Sequence, residues 1–352
     1  MPAQSGDEKF MRAALTEAKK ALGQTSPNPA VGAVLVRGER IVARGFHARA
    51  GAPHAEVDCL RRVPQTKSAT LYLTLEPCST QGRTPPCTEY IIERGIQRVV
   101  IGAADPNPRH CGHGIELLRK AGIEVSTGIL ERECTQLNEA FNKWIVTGKP
   151  FVIAKCAMSL DGRLTRPPGE SQWLSSPAAR AHARKLRAEV DAILVGAETI
   201  RSDNPRLTTG RRGQQPWRVV LTRSGRLQKS ATVFQDSHRE RTLVCRNQSL
   251  ASVLRDLGKR EVLSVLIEGG GEVLTQALDE RLIDKFQIYL TPLFTGGDVL
   301  AFGGNGAAST ANAVRLARPR YERIGNDVCV TGYAPDTSSR AQSSDPVARP
   351  LS

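Results

Sequence analysis

Aromatic side chains are scarce in this sequence. Three Trp, five Tyr and eight Phe make up 5% of the 352 residues, and so scattered a set offers no base-stacking platform for a nucleic acid. Long apolar runs are missing too. No stretch reaches the ~18 residues that a membrane-spanning helix needs, and the N-terminus has no apolar segment of signal-peptide length. The expectation is a cytoplasmic protein with no membrane partner. There is no dense cysteine framework. Cys59, Cys78, Cys87, Cys111, Cys134, Cys156, Cys245 and Cys329 are spread over the whole chain, which argues for reduced thiols, some of them on a metal. No repeat of fixed period is visible.

Charge is plentiful. The formal net charge is +14. The basic residues are scattered, so a solvated basic surface is the first reading, phosphate-bearing small ligands the second and nucleic acid the third. A chain of this length is too long for one ordinary core. The strand–helix alternation falls into two blocks, predicting an α/β protein with domains at 1–147 and 148–335. Thr147-Gly148-Lys149-Pro150 is the expected junction. Residues 336–352, rich in Ser, Pro, Arg and Asp, are expected to be a disordered tail.

In the first block, apolar spacing predicts a helix over 8–23 and a hairpin over 31–43 turning at Arg37-Gly38-Glu39. Strands at 69–75, 99–102 and 123–126 alternate with helices at 54–62, 88–94 and 114–121, and one further helix covers 131–142. In the second block, strands are expected at 151–157, 192–195, 217–221, 242–244, 262–267, 285–290 and 328–332, with helices at 177–188 and 272–280.

The chemistry concentrates in Pro53-His54-Ala55-Glu56, followed by Pro77-Cys78 and Pro86-Cys87. One imidazole and two thiolates leave the fourth zinc position open for water, as in a catalytic site. A zinc-bound water ionises near neutral pH. Glu56, two residues beyond His54, is placed to carry the water proton to a leaving amine. A His-x-Glu followed by Pro-Cys-x-x-Cys marks zinc deaminases of aminated pyrimidine rings. Here eight residues, Ser79 to Pro86, separate the two cysteines instead of two. A structural zinc site would close with a fourth protein ligand, and none sits at suitable spacing. His47 either faces this site or is a surface residue. His110 and His113 are read as incidental loop histidines, and His182 and His238 as surface residues.

These runs, with Asn28-Pro29-Ala30-Val31-Gly32, Thr74-Leu75-Glu76-Pro77-Cys78-Ser79 and Gly82-Arg83-Thr84-Pro85-Pro86-Cys87, resemble the riboflavin-biosynthesis deaminase–reductases, which use the longer cysteine spacing. Lys155 to Arg163, Gly169 to Trp173, Gly196 to Ile200, Asp203 to Thr208 and Glu268-Gly269-Gly270 extend the resemblance to about residues 8–333. It implies an N-terminal cytidine-deaminase-like domain that deaminates a diamino-hydroxy-phosphoribosylamino-pyrimidine. Zinc would sit on His54, Cys78 and Cys87, Glu56 would move the proton, and Asn28, His47, Asp105 and Asn107 would hold the substrate.

The resemblance also implies a C-terminal dihydrofolate-reductase-like domain that uses NADPH to reduce the ribosyl group to ribityl. Ala157, Trp173, Thr199, Asp203, Ser224, Gly270 and Gly271 would lie at the cofactor. Ser171, Arg187, Leu207 and Glu268 would lie at the substrate, with Arg187 suited to gripping the sugar phosphate through two donors. Independently, a buried strand, three glycines and a helix put backbone N–H groups where a phosphate is welcome, although Gly-rich turns before helices are often merely tight turns. Asp203 either orients the sugar or caps the Asn204-Pro205 turn. Lys155 is a ligand or an edge residue. The arginine expected beyond Leu207-Thr208 stays unassigned, with Gly210 at the counted place and Arg211 and Arg212 following. A homo-oligomer is expected from the resemblance. The competing readings are a deaminase with a silent second domain, an RNA-directed zinc protein and a structural zinc protein.

Overall fold

The computed structural model describes residues 6–81, 85–108, 110–164, 173–210 and 215–335. In the first block the order is α1 (Gly6–Lys19), β1 (Gly32–Arg37), β2 (Arg40–Phe46), α2 (Ala55–Leu60), β3 (Ala69–Leu75), α3 (Cys87–Glu93), β4 (Arg98–Ala103), α4 (His113–Lys120), β5 (Glu124–Thr127), α5 (Glu131–Leu137) and α6 (Glu139–Thr147). The strands form one sheet in the order β2-β1-β3-β4-β5. β1 runs antiparallel to β2 and β3, while β3, β4 and β5 are parallel.

Alternation along a strand sends neighbouring side chains to opposite faces, and both faces are covered. Ala33, Leu35, Leu71 and Ile101 pack with Ala55, Leu60, Ile91 and Leu118 from α2, α3 and α4. Val34, Val36, Tyr72 and Val100 pack with Met11, Ala14, Leu15 and Cys134 from α1 and α5. The result is an α/β/α sandwich. Asp7 locks α1 to the sheet by receiving Arg98 Nη2 at 2.8 Å and Tyr72 Oη at 2.7 Å.

The single helix expected over 131–142 is two helices. They break at Asn138, whose amide accepts from Ala30 N at 2.8 Å and donates to Ala30 O at 2.9 Å. A side chain that satisfies both backbone groups of a distant loop residue sets the position of the chain there and interrupts the helix.

The second block continues with β6 (Phe151–Ser159), α7 (Pro177–Arg187), β7 (Ala192–Gly196), α8 (Ala197–Asp203), β8 (Trp217–Thr222), α9 (Thr232–Gln235), β9 (Thr242–Arg246), α10 (Leu250–Lys259), β10 (Ser264–Glu268), α11 (Gly271–Asp279), β11 (Lys285–Thr291), β12 (Ala317–Ile324) and β13 (Asp327–Tyr333). Among the described residues these strands form an eight-stranded sheet in the order β12-β13-β11-β6-β10-β7-β8-β9. The six from β11 to β9 are parallel, and β13 and β12 add an antiparallel edge. Helices α10 and α11 bury one face through Leu250, Leu254, Leu257 and Leu274. On the other face α7 covers Tyr289 and Cys329 with Ala179 and Ala183. α8, α9, α10 and β12 are additions to the expected elements. β12 escapes the alternation rule because it is an edge strand, exposed along nearly its whole length.

The first block rests on the N-terminal ends of the parallel strands of the second. Trp144 Nε1 donates to Gly258 O at 2.9 Å, and Lys143 meets Asp284 at 2.6 Å. Glu139 receives both Lys285 Nζ and Tyr333 Oη at 2.6 Å. The tail at 336–352 and Ser171 lie outside the described residues.

Candidate functional site

His54 occupies the N-cap position of α2, Cys87 opens α3 and Cys78 follows the end of β3. The turn into one helix, the start of another and a strand end thus aim three ligand atoms at one point. His54 Nδ1 lies 3.2 Å from Cys87 Sγ and 3.5 Å from Cys78 Sγ. All three ligand atoms fall within 4.8 Å of one another. A tetrahedral ion with bonds of ~2.0 Å to nitrogen and ~2.3 Å to sulfur would hold such atoms about 3.5 Å apart. The donor set and its spacing therefore fit zinc. Among the described residues no other His, Cys, Asp or Glu group has this geometry. His110 instead stands 3.5 Å from Thr80 Oγ1.

The hydrogen bond with Cys87 pulls the Cys78 thiol down, and His54 adds to the shift; on zinc both sulfurs would be thiolates. Glu56 is only 3% exposed. Burial pushes it up to about 7, and its carboxyl reaches the Cys87 thiol.

His47 is buried and faces the site. Its Nδ1 lies 3.1 Å from the Pro53 carbonyl and so donates, leaving Nε2 to accept from Asn28 Nδ2 at 3.1 Å. Burial lowers its pKa, keeping the ring neutral. The ring stands edge-on to His54 with centroids 5.2 Å apart. Asn28 is thus tied to the metal cluster through one histidine.

Asp105 and Asn107 share a tight turn, with Asn107 N donating to Asp105 Oδ1 at 2.9 Å. Their loop hangs on Glu76, a residue that the motif contained but to which no role was given. Its buried carboxylate accepts from the backbone N–H groups of Asp105 (3.1 Å), Gly112 (3.0 Å), Gly114 (2.9 Å) and Ile115 (3.3 Å). Gly114 must be glycine, since a Cβ there would lie 2.3 Å from the Pro77 carbonyl oxygen. Acidic charge next to Pro77-Cys78 was the one signal for Glu76, and it does not reveal which amides the carboxylate collects. Asn138 is the second missed residue. It fixes Ala30, two residues past Asn28.

In the second block, the parallel strand ends carry most of the expected residues. Gly269 and Gly270 have φ of 94° and 74°, a region open to glycine. A Cβ at either would come 3.6 Å from Thr199 Oγ1, so the structure brings Thr199 and this turn together. The half-buried Ala157 pairs with Tyr289 across β6 and β11. Leu207 is buried at φ 52°, and Ser224 is exposed just past β8, its Oγ accepting from Arg226 N at 3.2 Å. Asp203 ends α8 ahead of a left-handed Asn204. Trp173 is 56% exposed, with the Arg180 guanidinium 5.4 Å from its ring centroid.

Arg187 pairs with Glu268, another of the expected substrate residues. The fork assigned to a sugar phosphate lies on Glu268, with Nε 2.9 and 3.1 Å from the two carboxylate oxygens and Nη2 2.5 Å from one of them. Burial raises the Glu268 pKa, but the Arg187 charge and hydrogen bonds outweigh it and hold the carboxyl below its ordinary value. Lys155 is no edge residue. It sits on β6 in register with Glu268 and Gln287, its ammonium 5.9 Å from the Tyr289 ring centroid. His182 is half-buried rather than a surface residue, with Nδ1 2.8 Å from Tyr289 Oη.

A three-ligand zinc cluster beside a buried carboxylate, joined to a parallel sheet with a glycine turn at its strand ends, defines a zinc deaminase fused to a reductase. Residues 4–103 match the cytidine and deoxycytidylate deaminase zinc-binding region, and residues 150–330 match the RibD C-terminal domain. The riboflavin biosynthesis protein RibD of Synechocystis sp. is 40% identical, covering 96% of this chain and 99% of its own. Acinetobacter baumannii RibD superposes with a TM-score of 0.85 at 34% identity, over 94% of this chain and 99% of that one. A deaminase/reductase from Thermotoga maritima gives 0.85 at 36%, with the same coverage. This chain belongs to the RibD family of riboflavin-biosynthesis enzymes. It is bifunctional, with a zinc-binding deaminase domain and an NADPH-dependent reductase domain.

Proposed function

We propose that residues 1–147 deaminate a diaminohydroxyphosphoribosylaminopyrimidine and that residues 148–335 reduce the resulting 5-amino-6-(5-phosphoribosylamino)uracil, the two activities by which the Thermotoga maritima relative is named. The observation that carries the reading is the His54–Cys78–Cys87 cluster with Glu56 buried against it. Zinc, held by His54, Cys78 and Cys87, would lower the pKa of a water towards neutrality. Glu56 takes that water's proton and hands it to the ring amino group. Hydroxide adds to the ring carbon, the carbon–nitrogen bond breaks and ammonia leaves. Asn28 reads the ring edge while His47 fixes its orientation. Asp105 and Asn107 close the substrate pocket from the loop gathered by Glu76.

In the reductase domain NADPH, when bound, would supply a hydride to the sugar carbon that carries the pyrimidine amine, as the ring carbon–oxygen bond opens and its oxygen takes a proton. The Gly270–Gly271 turn, Thr199, Ala157, Trp173, Asp203 and Ser224 position the cofactor. Glu268, held by Arg187, and Leu207 position the substrate together with Ser171. We further propose a cytoplasmic homo-oligomer. All eight cysteines are unpaired, which suits a reducing compartment.

The test follows ammonia release and NADPH oxidation together on the diamino-pyrimidine ribotide, with wild type and Glu56→Gln side by side. Ammonia followed by NADPH loss in wild type, with both absent in the variant, supports the reading. Ammonia without NADPH loss leaves a silent reductase domain. No ammonia from zinc-loaded protein means that the substrate is wrong.

A further inference from the structure

A cavity of about 330 Å³ lies at the junction of the two domains, between α5, α7 and the β11–β13–β12 edge of the large sheet. Such a volume is enough for a small organic ligand. Neither active site uses it. His182, Lys185 and Leu186 line it from one face of α7, as residues three and four apart do, and Glu189 lines it from just beyond the helix end. Arg187 leaves that face to grip Glu268.

The floor is polar where a covered sheet is ordinarily apolar. In-register pairing runs from Glu268 through Lys155, Gln287 and Thr331 to Arg320 across five strands. Directly paired residues share a sheet face. The Gln287–Thr331–Arg320 half of that row forms the cavity floor. Gln287 is 5% exposed, and its amide is anchored on Tyr289 Oη at 2.5 Å.

The wall is basic. Lys285 is spoken for by Glu139, and Arg318 lies over the Tyr333 ring, 4.4 Å from its centroid. Among the described residues, Arg132 from the deaminase domain and Lys185 and Arg320 from the reductase domain form no ion pair with a carboxylate. The acids on the rim are Glu189 and Glu322. Five cations against two carboxylates leave the concavity net positive, and a multidentate anion relieves the repulsion among them. Guanidinium forks match phosphate oxygens two at a time.

We propose that this cavity is a binding site for a small phosphorylated anion, distinct from both active sites and contacting both domains. Its ligand would draw Lys185 on the same last turn of α7 that carries Arg187, giving it a lever on the reductase site.

The test is a calorimetric titration of the zinc-loaded full chain, saturated with NADP⁺, with inorganic pyrophosphate. Wild type is compared with Arg132→Ala/Arg320→Ala. The variant should keep wild-type rates for both reactions without pyrophosphate, and it should lose one binding component, weakened about tenfold for each arginine removed. Identical isotherms overturn the proposal, as does a wild type that binds no pyrophosphate. If sedimentation shows that the double variant falls apart into smaller assemblies, the cavity is instead covered by a second copy of the chain, and the proposal is again overturned.

Discussion

Arg187 and Glu268 form a side-on ion pair that joins the end of α7 to the end of β10, with side chains 20% and 8% exposed. Removing one partner of such a pair strands a buried charge. Glu268→Gln should therefore cost about 3 kcal/mol of stability in denaturant unfolding, and the double variant Arg187→Met/Glu268→Gln should regain most of it. Equal losses in the single and double variants would show that the pair itself is not the cause.

The same pair sets a pH window. Glu268 titrates below the usual carboxylate value in the folded state, so folding holds it deprotonated. That contribution is fully present above the unfolded pKa of about 4.3 and is lost as pH falls through the lower folded value. The stability gap between wild type and Glu268→Gln should stay flat from pH 5 to pH 8, as ~0 change per unit, and narrow only below about 4.3. A gap that shrinks on raising the pH through neutrality would contradict the assignment.

Glu76 gathers four backbone N–H groups from the loop that carries Asp105 and Asn107. In Glu76→Gln an amide NH₂ would confront some of those donors. Deamination should fall by about 100-fold through misplacement of the loop, while reduction of the already deaminated substrate stays at the wild-type rate. A parallel loss of both activities would point to general unfolding instead.

The contrast between the zinc cluster and Glu76 shows where sequence is informative. Metal ligation admits few residue types, and His54, Cys78 and Cys87 each sit beside a proline that marks a turn or helix start, so residue type and local spacing sufficed. Glu76 and Asn138 act on backbone groups, Glu76 on amides 29 to 39 residues away and Asn138 on Ala30, 108 residues away. Any residue presents such groups, so nothing local marks the partner. The strand order was largely readable because both faces of each sheet are packed and the apolar periods are clear, whereas helices α8, α9 and α10 were not picked out. β12, exposed along its length, had no such period. The partner of Arg187 was invisible for the Glu76 reason: Glu268 lies 81 residues on.

Zinc removal should separate the two activities. The deaminase and reductase sheets have separate cores, so chelation or Cys78→Ser should abolish ammonia release and leave NADPH oxidation on deaminated substrate unchanged. Glu56→Gln should bind one zinc per chain like wild type, yet deaminate 10²- to 10⁴-fold more slowly, as loss of a proton carrier predicts, roughly. Loss of zinc from Glu56→Gln would make Glu56 a ligand holder rather than a proton carrier.

The deaminase domain and the glycine turn of the reductase domain stand at opposite ends of the parallel strands of the large sheet. Trp144, Lys143 and Glu139 dock the deaminase domain on the N-terminal strand ends through Gly258, Asp284 and Lys285. Glu268 and the Gly269–Gly271 turn stand at the C-terminal ends. On that placement, the expected route of the intermediate to the reductase of its own chain runs through solvent. Mixing Glu56→Gln with a reductase-dead Gly270→Val, whose branched side chain is strained at φ 74°, should therefore match wild type at equal numbers of working sites. Both the steady flux and the lag before NADPH oxidation should agree. A mixture several-fold slower, with a longer lag, would mean that the intermediate is handed over within one chain, against the placement of the two sites.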